Sequence, residues 1–233
     1  GDVLSFQYYD ASVDSVLNIY ETYAFATNDQ LGDMMDPWEL NILTTVDLSI
    51  ELIAGFNWIS FNVVPEDASL AGVLESIGDN ALFIASQSDG TSTYYGGDYG
   101  WYGTLAMLEP TQMYKLEMAE PATLTITGVP VNVASSPISL IEGWNWIGYL
   151  PQNPGALDVA LGSVADNSLF IASQSDGVSN NYGDYGWYGS LLTLEPGSGY
   201  LLEMGAEGTL VYPEFDGLAR LSQNKQEVIL SNK

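Results

Sequence analysis

The chain of 233 residues carries 30 acidic and 4 basic side chains, a formal net charge of −26, and neither His nor Cys. So few cations cannot neutralise a phosphate backbone or hold an anionic bilayer, which excludes nucleic acid and the membrane surface as partners. The missing His and Cys exclude Ser-His-Asp and Cys-His catalysis, metal sites ligated by these residues, and disulfides. The sequence contains no run of about 18 apolar residues, so it predicts no membrane-spanning helix. A hydrophobic content of 46% nevertheless suffices for a core.

Residues 1–49 come first and alternate apolar and polar side chains over 3–8 and again over 20–25. This period of two predicts β-strands. A segment of about 45 residues is short for an independent domain. We therefore expect it either to complete a sandwich with preceding chain or to pack on the first repeat, which begins near residue 50.

A tandem repeat organises the rest of the chain. Residues 82–90 recur unchanged at 169–177, and the motif DYGWYG at 98–103 recurs at 184–189. Shorter matches on either side define two modules, copy 1 (50–130) and copy 2 (131–213). A period of about 85 residues predicts duplicated domains, because solenoids and propellers use shorter units.

Both copies predict the same order of elements. An amphipathic helix starts at Leu70 or Leu157, with apolar residues at i, i+3, i+4 and i+7, and Gly78 is placed to end the first one. The predicted strands of the two copies are 52–63, 82–86, 113–118 and 123–127, and 140–150, 169–173, 199–204 and 209–212. A loop rich in Gly, Tyr and Asp and a turn marked by Pro separate the second strand from the third. The predicted fold class is mainly β (β-rich α+β), with two tandem homologous modules that are each a small sheet structure with one short helix.

Residues 214–233 differ in composition from the repeat. From Pro213 onward the chain carries Arg220, Lys225 and Lys233, three of its four basic side chains. This shift predicts a linker or the start of a further module. Together with a first residue that is Gly rather than Met, it leads us to expect a piece of a longer protein.

The order of short motifs in the repeat resembles a known family. Copy 2 reads GWNWI at 143–147, LEPGSGY at 194–200 and TL at 209–210. This is similar to the GWNLISLP and LxPGxGYW modules of large secreted and cell-surface proteins of bacteria and archaea, and the resemblance covers both copies, from 52 to 213. Copy 1 departs from it at Phe56 and at the TQM of 111–113, so its turn is expected to differ from that of copy 2.

The resemblance implies an extracellular or cell-surface, non-catalytic, β-rich module that is usually repeated beside Ig-like domains and enzymes. Adjacent modules of the same polypeptide are then its nearest partners. Residues 1–49 are similar in style to the end of an Ig-like module.

Aromatic side chains in the Gly-rich loops are the main candidates for ligand binding. Ring faces beside carboxylates and amides suit a sugar, since the rings stack on pyranose C–H groups and the polar groups orient the hydroxyls. Two copies would engage a polymer bivalently. The candidate ligand-binding residues are Tyr95, Asp98, Tyr99, Trp101 and Tyr102 in copy 1, and Tyr182, Asp184, Tyr185, Trp187 and Tyr188 in copy 2.

A structural interpretation competes with this one. Trp101 and Trp187 would then fill the core, and the tyrosines would cover a loop-rich edge. Binding requires these rings to be exposed on one face, whereas a spacer requires them to be buried. For Trp58, Trp144 and Trp146, which lie in predicted strands beside isoleucines, we favour core or inter-module packing.

The repeated aspartates Asp89, Asp98, Asp176 and Asp184 are candidate calcium ligands, because Ca²⁺ prefers hard oxygen donors. No stretch matches the calcium loop that begins Asp-x-Asp, and an Asp-Gly pair is more typical of a turn. Asp10, Asp14, Asp33 and Asp36 form a weaker second candidate set. No other cofactor is indicated.

Catalysis by two carboxylates is the only enzyme class that the composition leaves open. Asp98 with Glu109, repeated as Asp184 with Glu195, could form the pair that a glycosidase needs about 5–10 Å apart. Both glutamates precede Pro in a predicted turn. We therefore expect no enzyme.

The sequence thus favours an acidic, non-catalytic, extracellular tandem module that binds a neutral polysaccharide or another extracellular polymer as part of a larger protein. The alternative is a structural spacer, an adhesin stalk or a self-assembling subunit of a fibre or sheath. Strongly anionic glycans are disfavoured because the excess of acidic side chains repels them.

Overall fold

A computed structural model describes residues 3–12, 14–35, 37, 38, 40, 42, 44–97 and 99–215. The chain divides into two compact units, Gly1–Thr45 and Val46–Lys233. Antiparallel strands dominate both units, so the predicted mainly β class is confirmed.

The first unit contains a two-stranded antiparallel sheet formed by β1 (Val3–Asp10) and β2 (Ser15–Ala24). This confirms the two strands that the alternation predicts. The Trp38 ring lies 5.4 Å from the Phe6 ring and 6.3 Å from the Tyr23 ring. None of the side chains of this unit whose burial is described is buried, so it has no closed core within that part of the chain.

The second unit begins with the elements of copy 1. They are β3 (Val46–Leu52), β4 (Gly55–Ile59), β5 (Val63–Pro65), α1 (Leu70–Val73), β6 (Ala81–Ala85), β7 (Thr91–Tyr94), β8 (Trp101–Gly103), β9 (Tyr114–Met118) and β10 (Ala122–Pro130). A 3₁₀ segment, Glu75–Asn80, follows α1.

Copy 2 continues the same unit. Its elements are β11 (Ile138–Leu140), β12 (Gly143–Gly148), β13 (Gly155–Ala156), α2 (Leu157–Ala160), β14 (Ser168–Ala172), β15 (Val178–Asn181), β16 (Trp187–Gly189), β17 (Thr193–Leu194), β18 (Gly199–Met204) and β19 (Gly208–Leu210). Its 3₁₀ segments are Val133–Ser135, Gly162–Val164 and Gly183–Tyr185.

Each copy builds one five-stranded sheet with an equivalent strand order. The orders are β4-β9-β6-β7-β8 in copy 1 and β12-β18-β14-β15-β16 in copy 2, and all the pairs are antiparallel. Smaller sheets, β3-β10-β5 in copy 1 and β11-β19 and β13-β17 in copy 2, complete the unit. Two separate clusters of buried apolar residues lie within 52–126 and 131–212. The sequence repeat is therefore also a structural repeat.

The predicted first strand of each copy is wrong in its extent. Residues 52–63 span the end of β3, all of β4 and the start of β5. The break follows Leu52, where Gly55 adopts a φ of 86° that favours glycine. The Asn57 side chain then accepts a hydrogen bond from Ile53 N–H and donates to Ile53 O, at 2.9 and 2.8 Å, and this fixes the bend. Gly143 and Asn145 make the same break in copy 2.

The predicted helices are present but short. In copy 1 the Ser69 hydroxyl caps the first turn by accepting from Gly72 N–H at 3.2 Å. The α-helix ends at Val73, and the chain continues as a 3₁₀ segment in which Gly78 has a φ of 51°. Leu70, Val73 and Ile77 still face the core, so the apolar spacing predicts the buried face even though the helix is only one turn long.

The two Pro turns share one hydrogen bond and differ in conformation. Gln112 N–H donates to Glu109 O in copy 1, and Ser198 N–H donates to Glu195 O in copy 2, both at 3.3 Å. Gly197 has a φ of 85°, whereas Thr111 at the same place has no left-handed φ. Glycine at the third position of a turn allows the type II form. The predicted difference between the turns is confirmed.

Candidate functional site

The outer face of the copy 1 sheet carries a row of cross-strand neighbours. Phe56 lies opposite Glu117, which lies opposite Phe83, and the row continues through Thr93 to Tyr102. Opposed residues of neighbouring strands point to the same face. All five side chains are exposed or half-buried, whereas several residues next to them in the same strands are buried: Asn57, Ile84, Ser92, Leu116 and Met118. This outer row crosses five strands, a distance of roughly 19 Å.

Copy 2 repeats the outer row with related side chains. Trp144 lies opposite Glu203, followed by Phe170, Asn180 and Tyr188. The Trp144 and Phe170 rings meet edge to face at 5.8 Å, as the Phe56 and Phe83 rings do at 6.4 Å. Each row therefore alternates aromatic rings with a carboxylate and a small polar side chain.

An exposed pair of tyrosines ends each outer row. The Tyr95 and Tyr102 rings meet at 5.9 Å and 85°, and the Tyr182 and Tyr188 rings at 5.8 Å and 75°. These four side chains are between 57% and 65% exposed. The predicted site residues Tyr99 and Tyr185 are still more exposed, at 72% and 80%. All six tyrosines are therefore accessible to a ligand.

Close backbone contacts hold the loops that carry these tyrosines. In copy 1 the Tyr95 N–H donates to Gly100 O at 3.0 Å, and in copy 2 the Tyr182 N–H donates to Gly186 O at 3.0 Å. A Cβ atom at Gly103 would lie 2.0 Å from the Thr91 carbonyl oxygen, so β8 can approach β7 only with glycine at that position. The glycines thus bring the tyrosine-bearing strand close to the sheet.

Trp101 and Trp187 behave differently from the tyrosines. Both are half-buried and pack against the buried cluster of their own copy. They satisfy the structural interpretation in part, because each packs against a buried cluster and is still partly exposed. The set of candidate ligand-binding residues grouped these two tryptophans with the tyrosines, although the structural interpretation assigned them to the core.

Trp101 also lines a cleft in copy 1. The cleft has a volume of about 480 Å³ and lies between α1 and strands β7 and β8, with Tyr94, Glu75 and Gly100 in its wall. The Tyr94 hydroxyl donates to the Asp79 carboxylate at 2.6 Å, which fixes its ring 5.3 Å from that of Trp101. This cleft could hold one sugar ring between aromatic walls.

The tyrosine that lines this cleft is absent from copy 2. Asn181 stands where copy 1 has Tyr94, and its amide donates to the carbonyl oxygens of Ala165 and Ser168 at 2.6 and 3.0 Å. Asn181 therefore ties the loop back to the chain instead of presenting a ring.

The candidate calcium ligands lie in hairpin turns and loops. Asp89 and Asp176 occupy equivalent turns that end at a glycine with a φ of 92°. The Asp89 carboxylate accepts from the Gln112 amide at 2.6 Å, and that of Asp176 accepts from the Ser173 hydroxyl at 2.9 Å. Asp184 lies in the exposed 3₁₀ segment Gly183–Tyr185, and Asp98 lies outside the described residues. Within the part of the chain that the structure describes, no three acidic side chains are grouped closely enough to hold a metal ion.

The candidate catalytic glutamates stand in turns that buried tyrosines fix. Glu109 N–H donates to the Tyr114 hydroxyl, and Glu195 N–H donates to the Tyr200 hydroxyl, both at 2.7 Å. Burial raises the pKa of Tyr200 to about 12 and that of Tyr114 further. These hydroxyls therefore stay protonated at neutral pH and hold the turn backbone.

The two copies contact each other through the free edges of β4 and β12. The Gln87 amide donates to Trp144 O and accepts from Trp146 N–H, both at 2.6 Å. Gln174, its repeat partner, makes the same two bonds with strand β4 at 2.5 Å each. We call these four hydrogen bonds the glutamine clamps. They satisfy edge groups that would otherwise face water.

The expectation for the strand tryptophans is confirmed in part. Trp58 and Trp146 lie at the junction between the copies, where Lys115 stands over both rings. Trp144 is 45% exposed and belongs to the outer row, so core packing is wrong for it. The alternation in the sequence puts 144 and 146 on one face and 145 and 147 on the other, and the structure buries the second face, with Asn145 and Ile147.

Comparison of the chain with protein-family models, with curated proteins and with solved structures finds no significant match. The resemblance of the repeat to secreted GWN-type modules therefore stays a prediction. Among the described residues, no helix has both the length and the apolar character needed to cross a membrane.

Proposed function

We propose that this chain is a non-catalytic extracellular or cell-surface module that binds a polymer, specifically a neutral polysaccharide, through the outer rows of its two copies. One observation carries the proposal. The same tyrosine pair, Tyr95 with Tyr102 and Tyr182 with Tyr188, is exposed at the end of an outward-facing aromatic row in both copies.

The chemistry of the rows supports a sugar ligand. Exposed rings offer flat apolar faces to the C–H groups of a pyranose. Glu117 and Thr93 stand between the rings of copy 1, and Glu203 and Asn180 between those of copy 2, as acceptors and donors for hydroxyl groups. Such alternation suits a ligand that is itself apolar on one face and polar at its edge.

The duplication supports a long ligand. Two equivalent sites on one compact unit raise the affinity for a polymer, because binding at the first site increases the effective concentration at the second. The glutamine clamps connect the copies that carry the sites. A net charge of −26 favours a neutral chain over a polyanion.

A binding screen tests the proposal. The wild-type chain is run in native gels that contain soluble neutral glucans, mannans, galactans or xylans, and its retardation gives the affinity. Replacing Tyr102 and Tyr188 together by Ala should weaken binding by about a hundredfold or more and so abolish retardation, since exposed tyrosines act as anchors and both sites lose one. The matched control is Tyr8→Ala, which removes a 47% exposed tyrosine from β1 and should change nothing.

The alternative function, a structural spacer, is favoured by the glutamine clamps, which join two modules edge to edge as a stalk requires. The same screen separates the two. Retardation that disappears in the double variant supports polymer binding. Full mobility with every polysaccharide favours the spacer.

A further inference from the structure

One cation stands at the junction between the two outer rows. Lys115 lies on β9 opposite Trp58 of β4, on the outward face of the sheet. Its Nζ atom is 5.1 Å from the centre of the Trp58 ring and 4.2 Å from the centre of the Trp146 ring. Since the other three basic residues lie in 216–233, it is the only basic side chain among the described residues.

The repeat itself does not need this charge. Copy 2 has Leu201 at the position of Lys115, on the equivalent strand β18 and opposite Trp146. An apolar side chain therefore fits the same place in the sheet. The lysine is a feature of copy 1 alone, placed where both copies contribute an indole.

The surroundings of Lys115 suit an anion. Two indole faces hold the ammonium group by cation–π attraction and shield it from water on those sides. Among the described residues the ammonium group has no carboxylate within ion-pair distance and no hydrogen-bond partner, although acidic side chains outnumber basic ones by 30 to 4. Its three N–H donors remain available to a ligand.

We propose that Lys115, Trp58 and Trp146 form a subsite for one carboxylate carried on a sugar ring, that is, for an acidic sugar within an otherwise neutral chain. This subsite rests on the proposed function, because it lies where a polysaccharide that engages both outer rows would pass. The ammonium binds the carboxylate, and the indoles contact the C–H groups of the same sugar. A second or third carboxylate would meet only the acidic remainder of the surface.

Matched oligosaccharides test the subsite. Linear gluco-, manno- and galacto-oligosaccharides are titrated by calorimetry, each as the neutral chain and as the same chain with one primary hydroxyl oxidised to a carboxylate. We expect the wild-type chain to bind one oxidised ligand about tenfold more tightly than its neutral counterpart, as a charge-assisted hydrogen bond allows. This preference should shrink as salt is added.

Two variants identify the residue responsible. Lys115→Leu installs the side chain that copy 2 already carries, so the fold should persist, and it should abolish the preference while leaving neutral binding unchanged. Lys115→Arg keeps the charge and should keep the preference. Thermal melting of both variants verifies folding.

The outcomes separate this inference from the proposed function. Equal affinity of the wild-type chain for neutral and oxidised ligands, or a preference that survives in Lys115→Leu, overturns the subsite and leaves polysaccharide binding in place. Binding of no ligand in either form overturns both.

Discussion

The two copies share a sheet topology and differ where they meet. Gly148 of copy 2 stands at the position of Ser60 in copy 1. Ser60 is buried and its hydroxyl donates to Ser198 O at 2.7 Å, across the junction. A Cβ atom at Gly148 would lie 2.2 Å from the Pro110 carbonyl oxygen, so copy 2 has no room for the serine. The duplicated edges have therefore diverged into complementary surfaces.

A second pair of equivalent residues has complementary sizes where the copies meet. Met113 of copy 1 corresponds to Gly199 of copy 2. Met113 is fully buried, and a Cβ atom at Gly199 would lie 2.1 Å from its Cγ atom. A large side chain in one copy thus fills the space that a small one leaves in the other. Close packing of this kind fixes one relative placement of the two modules.

The cores of the copies differ in polarity. Copy 2 buries Tyr149 and Tyr212 where copy 1 has Phe61 and Ile126. The Tyr149 hydroxyl donates to Asn153 O at 2.8 Å and that of Tyr212 donates to Gly148 O at 2.9 Å. Copy 2 therefore holds three of the four fully buried tyrosines of the described chain, with Tyr200 as the third.

The largest predicted effect follows from this difference and concerns alkaline pH. Burial raises the pKa of each of the four tyrosines above 10.0, that of Tyr200 to about 12. A raised folded-state pKa stabilises the fold below pH 10, and this stability is lost as the pH rises towards the folded pKa. With four groups, the free energy of unfolding should fall by about 5 kcal/mol per pH unit above pH 10.

Urea denaturation at a series of pH values measures this slope. The variant Tyr149→Phe carries the copy 1 residue and should reduce the slope by about a quarter, because one of four titrating groups is gone. A slope that is equal in the variant and the wild type contradicts the assignment of part of the alkaline sensitivity to Tyr149.

The second prediction concerns Gly148 at the junction, where the variant carries the serine of copy 1. Gly148→Ser should lower the free energy of unfolding by about 3 kcal/mol, because the new side chain collides with a backbone oxygen that cannot rotate away. Gly162→Ser is the matched control, since a Cβ atom there meets open space, and it should cost less than about 1 kcal/mol. Equal losses in the two variants would show that the copies do not pack as described.

The third and smallest predicted effect concerns the glutamine clamps. Gln87→Ala and Gln174→Ala each remove two hydrogen bonds at a partly wet edge and should each cost about 1 kcal/mol. Gln87→Glu should cost more than Gln87→Ala, because it sets a negatively charged carboxylate oxygen against the Trp144 carbonyl oxygen, a repulsion that alanine does not introduce. Chemical denaturation measures all three. Unequal losses at Gln87 and Gln174 would contradict the reciprocal arrangement.

Local patterns in the sequence predicted much of each copy. Apolar runs located β6, β14, β9 and β18 to within about two residues. The bends at Gly55 and Gly143 escaped prediction, because an asparagine in a β-like run gives no sign that its amide binds the backbone four residues earlier. Sequence patterns report periodicity well and side-chain caps poorly.

The candidate site was predicted in part for a related reason. Chemistry and repetition singled out the loop tyrosines as candidates, and the structure shows that they are exposed. The outer row and the junction depend on contacts between residues far apart in the chain, such as Gln174 with Phe56, and a single sequence does not reveal such pairs. Lys115 was visible as an isolated cation, but its two indole partners were not.

The most direct test of the account is whether both copies bind one polymer chain at the same time. Dissociation constants are measured for a long neutral polysaccharide and a short oligosaccharide of the same sugar, with the wild type, Tyr102→Ala, Tyr188→Ala and the double variant. We predict that the wild type binds the long chain about a hundredfold more tightly than the short one. Either single variant should lose most of that advantage, and the double variant should lose binding. Undiminished binding of the long chain by the double variant would contradict the account.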